Sequence, residues 1–394
     1  AGHHTTLMHS HLVIQIEGIS RHLIWRLLHA HPYYNSEQVS QRYARMKKEN
    51  FIYPATADRK RWETYYADCF MAYEELTQAL TPIMEVKLPK FKKGIASKKA
   101  QEMARYLLPQ GMGSYLYHTV NVVTALRYLA AIPSIPEAGS EALFFGSLLE
   151  KALLEIDPDL EPLIWEAKEQ EFSFPEFDLS KYRGEGVVRV FDVVGEAPAI
   201  TKEDAKVLRG RMMWHDEGVL GGFSAWMKLS LAADAQNQRH RRSLAIRPAL
   251  ETLYRREAYI PPIIIEARLE ERYEAMIERA YDFFEQEVRQ IGFGEAVYAL
   301  PNAHMIEIVE RNDWISFAHK AQMRLCYNAQ QEIYDLVYEE LRQLREIGCG
   351  AIEEYLAPCH LRARFGHHPI CPEGERFCGV KVWKLSFEAM ARKI

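Results

Sequence analysis

The 394-residue chain carries 49 basic against 54 acidic residues, a formal charge of −5, with 48% apolar and 26% charged residues. That balance excludes disordered, collagen-like and small disulfide-framework proteins, and no apolar run approaches the roughly 18 residues that cross a bilayer. At about 150 residues per domain the length implies two or three domains, and the default reading is a cytoplasmic protein without a membrane partner.

Seven of the fifteen histidines fall within the first 31 residues: His3, His4, His9, His11, His22, His29 and His31. An amphipathic helix runs from Ile19-Ser20-Arg21 to His29-Ala30-His31, and the turn residues Pro32 to Ser36 follow it. Next comes Glu37-Gln38-Val39-Ser40-Gln41-Arg42-Tyr43. A Ser40 hydroxyl and an Arg42 fork two residues apart can grip one phosphate oxyanion, although Ser-x-Arg strings are common in any sequence. A helix rich in acidic and aromatic residues is predicted from Trp62 to Leu80. Ala104-Arg-Tyr-Leu-Leu-Pro109 and a second helix, Val120 to Ala131, come after it. Residues 172–182, from Phe172 to Tyr182, contain Pro175 and no helical period, which marks a linker. The β-branched runs Asp192 to Val194 and Ile263 to Ile265 predict short strands.

The second half repeats the order of the first. A helix from Leu229-Ser230-Leu231 ends at Arg239-His240-Arg241, and an acidic helix spans Arg268 to Ile291. Ala296-Val-Tyr-Ala-Leu-Pro301 echoes the earlier Leu-Pro segment, and a further helix covers Asp313 to Gln331. This order predicts a tandem duplication: residues 1–175, residues 176–345, and an extension at 346–394. Helix dominates over strand, so the fold class is α+β. Arg239, Arg241 and Arg242 around His240 make a dense positive site that repels itself unless an anion neutralises it; a solvated basic helix end is the plainer alternative. Nucleic acid is not an expected partner, because the net charge is negative and no aromatic residues interleave the basic cluster. Arg324 and Asn328 share a helix face through their spacing of four. In the extension, Cys349, Cys359, Cys371 and Cys378 lie among His360, His367 and His368. Thiolate and imidazole suit a tetrahedral structural zinc; unrelated thiols in a reducing compartment are the other reading. Cys69 and Cys326 read as small core residues within helical patterns.

Ile16-Glu17-Gly18-Ile19-Ser20-Arg21 leading to Ser40-Gln41-Arg42-Tyr43 resembles the flavin-dependent thymidylate synthase family. So do Gln236-x-x-Arg239-His240-Arg241, the two Leu-Pro segments and Ala329-Gln330-Gln331-Glu332-Ile333, and Gly2-His3 through His9 is similar to that family's amino-terminal stretch. The resemblance implies two tandem copies of the family fold, helix-rich around antiparallel sheet. It implies FAD as cofactor and reductive methylation of dUMP to dTMP with methylenetetrahydrofolate and NADPH. Arg239, His240, Arg241 and Arg324 would serve the flavin; Glu37, Gln38, Ser40, Arg42 and Gln236 would serve dUMP. Because sites in that family form between subunits, the resemblance further implies one hybrid site between the copies and a homodimer in place of a tetramer. The copies also depart from the pattern. His29-Ala30-His31 stands where the first copy would carry R-H-R, and the second copy has Ser243 and Arg247-Pro248 in place of S-x-R. Tyr115 and Glu307 occupy the place of a phosphate-binding arginine, and Tyr334 that of a base-contacting one. Two alternatives stay open: a non-catalytic paralogue that binds FAD or a nucleotide, and a flavoenzyme acting on another pyrimidine nucleotide.

Overall fold

The computed structural model describes residues 4–87, 94–137, 139–170, 173–202 and 217–391. Gly2, His3 and Phe172 lie outside the described residues.

Inward-facing and exposed positions alternate along Leu12-Val-Ile-Gln-Ile16, and β1 (His11–Ser20) forms there. The strand ends where the Ser20 hydroxyl accepts the Leu23 N–H at 2.9 Å, which starts the helical turns Arg21–Leu23 and Ile24–Leu28. Then come β2 (Asn35–Gln38), α1 (Arg59–Lys87), α2 (Ile95–Ala104), β3 (Gly113–Asn121), α3 (Val122–Ala131) and α4 (Gly139–Ile156). The first sheet has the order β1-β3-β2 and both pairings are antiparallel.

The second repeat uses the same devices. Its elements are β4 (Val188–Val194), β5 (Gly222–Ser230), α5 (Leu231–Asn237), β6 (Leu244–Ile246), α6 (Glu270–Ile291), β7 (Met305–Asp313), α7 (Trp314–Arg324) and α8 (Gln331–Glu346). They give an antiparallel sheet of order β4-β5-β7-β6. A short helix, α9 (Pro358–Arg364), belongs to the C-terminal extension. The fold is therefore α+β, in two tandem halves. Among the described residues no helix is long and apolar enough to cross a membrane.

A local two-fold relates the halves. Pro109 bridges Pro301, the Gln110 N–H donates to Leu300 O at 2.8 Å, and the Asn302 N–H donates to Leu108 O at 2.8 Å. The two Leu-Pro segments thus mate with each other. The Glu141 carboxylate accepts from the Ser20 N–H (2.7 Å), the Ser20 hydroxyl (2.5 Å) and the Tyr298 hydroxyl (2.7 Å). The Glu332 carboxylate accepts from the Ser230 N–H (2.6 Å), the Ser230 hydroxyl (2.6 Å) and the Tyr106 hydroxyl (2.6 Å). In each set the tyrosine comes from the opposite half. Helices α1 and α6 pack alongside: Tyr65 stacks on Phe283 with centroids 4.1 Å apart, and Trp62 Nε1 donates to Glu287 at 2.7 Å. One large apolar core, including Trp62, Tyr106, Tyr298 and Trp314, runs through both halves.

Two sequence expectations change. Ile263–Ile265 is helical, within Pro262–Glu266, because Pro262 at the first helical position presets the helical φ. The helix expected from Asp313 to Gln331 breaks at residues 325–330 into α7 and α8, and that turn carries functional groups.

Candidate functional site

The halves meet through a network of polar side chains. Pairing of β2 with β3 (Glu37 opposite Tyr117, Gln38 opposite Leu116) aims the 39–43 loop across the interface. From the other side α5 delivers Gln236 and the Arg239-His240-Arg241 run at its C-terminal end. Arg239 Nη2 donates to Gln38 Oε1 at 2.9 Å, joining the two halves directly. Arg241 donates to Asn35 Oδ1 at 2.9 Å and to the Tyr34 carbonyl. Arg324, at the end of α7, donates to the Gln236 carbonyl at 2.7 Å and to His240 Nε2 at 2.8 Å. His240 can accept that bond because burial, followed by Arg324, holds its pKa well below the usual imidazole range. Gln330, on the turn after α7, accepts from both Gln236 and Arg105 and donates to the Tyr106 hydroxyl.

Positive charge accumulates here faster than it is cancelled. Burial, then Arg105 and Arg239, lowers the Arg21 guanidinium to about 9. Burial, then Arg42 and Arg239, lowers Arg324 to about 10. Burial lowers Arg239 too, with Arg241 adding to the effect. The buried Glu102 is already engaged: it accepts from Arg42 Nε and pairs with Lys99 at 3.3 Å. Burial alone would raise Glu102, but Lys99 and Arg42 outweigh it and hold the carboxyl down at about 2. Glu332 shifts the other way, raised by burial while bonded to Ser230 and Tyr106. Among the described residues no carboxylate pairs with Arg21, Arg239 or Arg324. Gln236 Oε1, Gln41 Nε2 and Arg105 Nε are buried without a hydrogen-bond partner. Mutually repelling guanidiniums beside unmatched polar atoms are an arrangement that an anion would neutralise.

The opposite combination of half-sites is sealed. Arg26 pairs with Glu137 at 2.9 Å, both side chains being less than 5% exposed, and it donates to the Pro248 carbonyl at 3.0 Å. Arg247 grips Asp234 through two bonds of 2.7 and 2.9 Å, and Trp25 Nε1 donates to the same carboxylate at 2.7 Å. His29 and His31 stand where R-H-R would supply charge. His29 bonds Ser36 at 3.2 Å and His31 bonds the Tyr128 hydroxyl at 2.6 Å. Burial holds both pKa values down, His31 to about 4, so these rings are neutral near pH 7.

Of the residues named from sequence, Gln38, Gln236, Arg239, His240, Arg241 and Arg324 gather at the meeting of the halves. Ser40 accepts the Arg42 N–H at 3.2 Å and shapes the loop. Arg42 bonds Glu102 and the Asn328 carbonyl, so it anchors that loop instead of standing clear for a phosphate. Glu37 is exposed on β2. Glu307 stands outside this network, paired with Arg183 at 2.7 Å and accepting Trp226 Nε1 at 2.9 Å. The Tyr334 hydroxyl donates to the Met390 carbonyl at 2.7 Å, beneath the C-terminal extension. Arg21, Arg105 and Gln330 join the gathered residues, although sequence pattern alone does not mark them as site residues. The N-cap Ser20 immediately before Arg21 was the available signal. In the extension, Cys359, Cys371 and Cys378 line one small cavity, but Cys349 does not and Cys326 takes its place. Cys326 leaves the helical core pattern because α7 has ended just before it.

The sequence model of the family described as thymidylate synthase complementing protein matches residues 1–132 and 222–348, more than half of the chain in two separated segments. No curated protein matches the chain.

Proposed function

We propose that this chain, which belongs to the thymidylate synthase complementing protein family, binds FAD and dUMP in one composite site and methylates dUMP reductively to dTMP. Methylenetetrahydrofolate would give the carbon and NADPH the reducing equivalents. The observation carrying this reading is the convergence of Arg21 from the first half with Arg239 and Arg324 from the second, with no carboxylate among the described residues paired to them. A phosphate or pyrophosphate would relieve their repulsion, and planar guanidinium forks match its oxygens. The donor set therefore fits the anionic portions of both FAD and dUMP. When bound, the flavin would supply hydride chemistry that no amino-acid side chain provides.

The chain's own residues bind and orient. Arg239 reaches across the interface to Gln38, and Arg324 is held in place by the neutral His240. The unpaired Gln236 Oε1 is available to a ring N–H such as that of uracil. Arg42 is a positioning residue here, tying the 39–43 loop to Glu102. Glu307 does not oppose phosphate binding, because its carboxylate is engaged with Arg183 and Trp226.

The test is tritium release from C5-labelled dUMP, with methylenetetrahydrofolate and NADPH, alongside the flavin absorbance of the purified protein. Arg239→Gln should reduce release by at least about a hundredfold, the scale of losing one preorganised donor, without moving the urea midpoint. A protein that neither carries nor takes up FAD would overturn the reading.

A further inference from the structure

The C-terminal extension folds back onto the 325–330 turn, and there four sulfurs from separate segments meet. Cys326 lies on the turn, Cys359 on α9, and Cys371 and Cys378 on either side of the helical turn Gly374–Arg376. All four line one cavity of about 20 Å³, closed by Phe377, Val382 and Trp383. That volume accepts a single water or a single ion. None of the six cysteines forms a disulfide. Among the described residues no three Cys, His, Asp or Glu side chains already stand as a metal would hold them. The four thiols line one shared space, and holding an ion there requires side-chain rotation that turns the sulfurs inward.

Burial raises Cys359 to about 12, with Cys326, Cys371 and Cys378 each adding to the effect. Burial also raises Cys326 to about 11, with Cys378 and Cys371 among the contributors. Each sulfur opposes charge on the others, and a divalent cation at their centre reverses that sign.

We propose that Cys326, Cys359, Cys371 and Cys378 bind one structural zinc ion as four thiolates. Four S–H bonds break, four Zn–S bonds form, and four protons leave to solvent, so affinity rises with pH. Soft sulfur ligands, and a cavity without room for a substrate, favour a closed tetrahedral zinc over a hard or catalytic metal. The extension has a structural need for such a staple, since its buried apolar side chains beyond α9 are few, Val382 and Met390 among them. Cys349 stays outside the set: its N–H donates to Leu344 O and its side chain joins the main core.

The ion would also stiffen the anion site. Asn328, two residues after Cys326, donates to the Arg376 carbonyl at 2.7 Å, and its own carbonyl accepts from Arg42 Nη2 at 2.5 Å. Gln330 follows on the same turn. A fixed turn therefore holds both the 39–43 loop and the Gln236 partner.

Metal content of the reduced, full-length protein should be one zinc per chain. Cobalt titration of the metal-free protein should give the visible bands and sulfur-to-cobalt charge transfer of a tetrahedral four-thiolate site. Cys326→Ser should weaken zinc binding more than about tenfold, while Cys349→Ser leaves it unchanged. If Cys326→Ser fails to fold, release of zinc from the native protein by a chelator should expose four thiols per ion to a thiol reagent. Less than about 0.2 zinc per chain without tetrahedral cobalt bands, stoichiometric iron with sulfide, or equal losses in both variants would each overturn the proposal. None of those outcomes bears on dUMP or FAD binding.

Discussion

Imidazoles whose pKa values burial lowers tie the protein's stability to pH, and two of them in the first half share one partner. His118 and His31 share the Tyr128 hydroxyl at 2.9 and 2.6 Å, and burial, with neighbouring positive groups adding to it, lowers each pKa to about 4. An unfolded histidine takes its proton near pH ~6.5. These folded-state values lie below that, so their contribution is intact above the unfolded value and drains as pH falls from there toward 4. Glu141 and Glu332, raised by burial, act in the opposite sense, so a single-site comparison is needed to isolate one ring. Urea unfolding at pH 7 and pH 5 should show the wild type losing about 1–2 kcal/mol more than His118→Gln. Equal losses would remove His118 from the account. The same scale shows what local sequence conceals. Arg42 sits in a motif that suggests phosphate binding, yet Glu102, sixty residues away, claims its guanidinium. Arg21 closes a stretch that suggests no anion contact by itself, yet it is crowded against Arg105 and Arg239. A side chain's charge is read locally, whereas its counter-ion is chosen by the tertiary fold.

Strands β1 and β5 each end in a serine that caps the helix after it and holds a buried glutamate from later in its own half. Ser230 accepts the Ala233 N–H at 3.0 Å while donating to Glu332, and Ser20 does the same for Leu23 and Glu141. Ser230→Ala removes the cap and leaves the buried Glu332 short of a donor. Together these should cost about 2–4 kcal/mol in urea unfolding, with Ser20→Ala close to it. A loss below about 0.5 kcal/mol would show that the serine–glutamate pair contributes little. These serines also explain which elements the sequence revealed. The Leu-Pro segments were legible because each must mate with the other across the two-fold, which constrains both copies alike. Strands β1, β3, β5 and β7 were not legible. The β5 string Gly222-Phe-Ser-Ala-Trp-Met-Lys-Leu-Ser230 is buried on both faces, shows no period of two, and runs straight into a capped helix.

A duplicated frame in which only one of the two arginine clusters lacks carboxylate partners, among the described residues, is the consequence at the scale of the molecule. Symmetry would give two sites per chain, but buried ion pairs have consumed one of them. Arg26 is closed by Glu137, and Arg247 by Asp234. Neutral histidines replace the remaining charge there. Each of those arginines would have to abandon a buried carboxylate to bind an anion, at a cost of several kcal/mol, whereas Arg21 and Arg239 need abandon none. Titration with FAD should therefore saturate at one equivalent per chain. Leu143, Phe144 and Leu148 on α4 are exposed, and pairing of two chains over them would give two sites per particle. Light scattering on the same sample should return twice the chain mass. Two equivalents of FAD per chain would mean that Arg26 or Arg247 releases its carboxylate. In that case Glu137→Gln should raise affinity at the second site and leave the first unchanged. One equivalent, insensitive to Glu137→Gln, is the outcome the sealed ion pairs require.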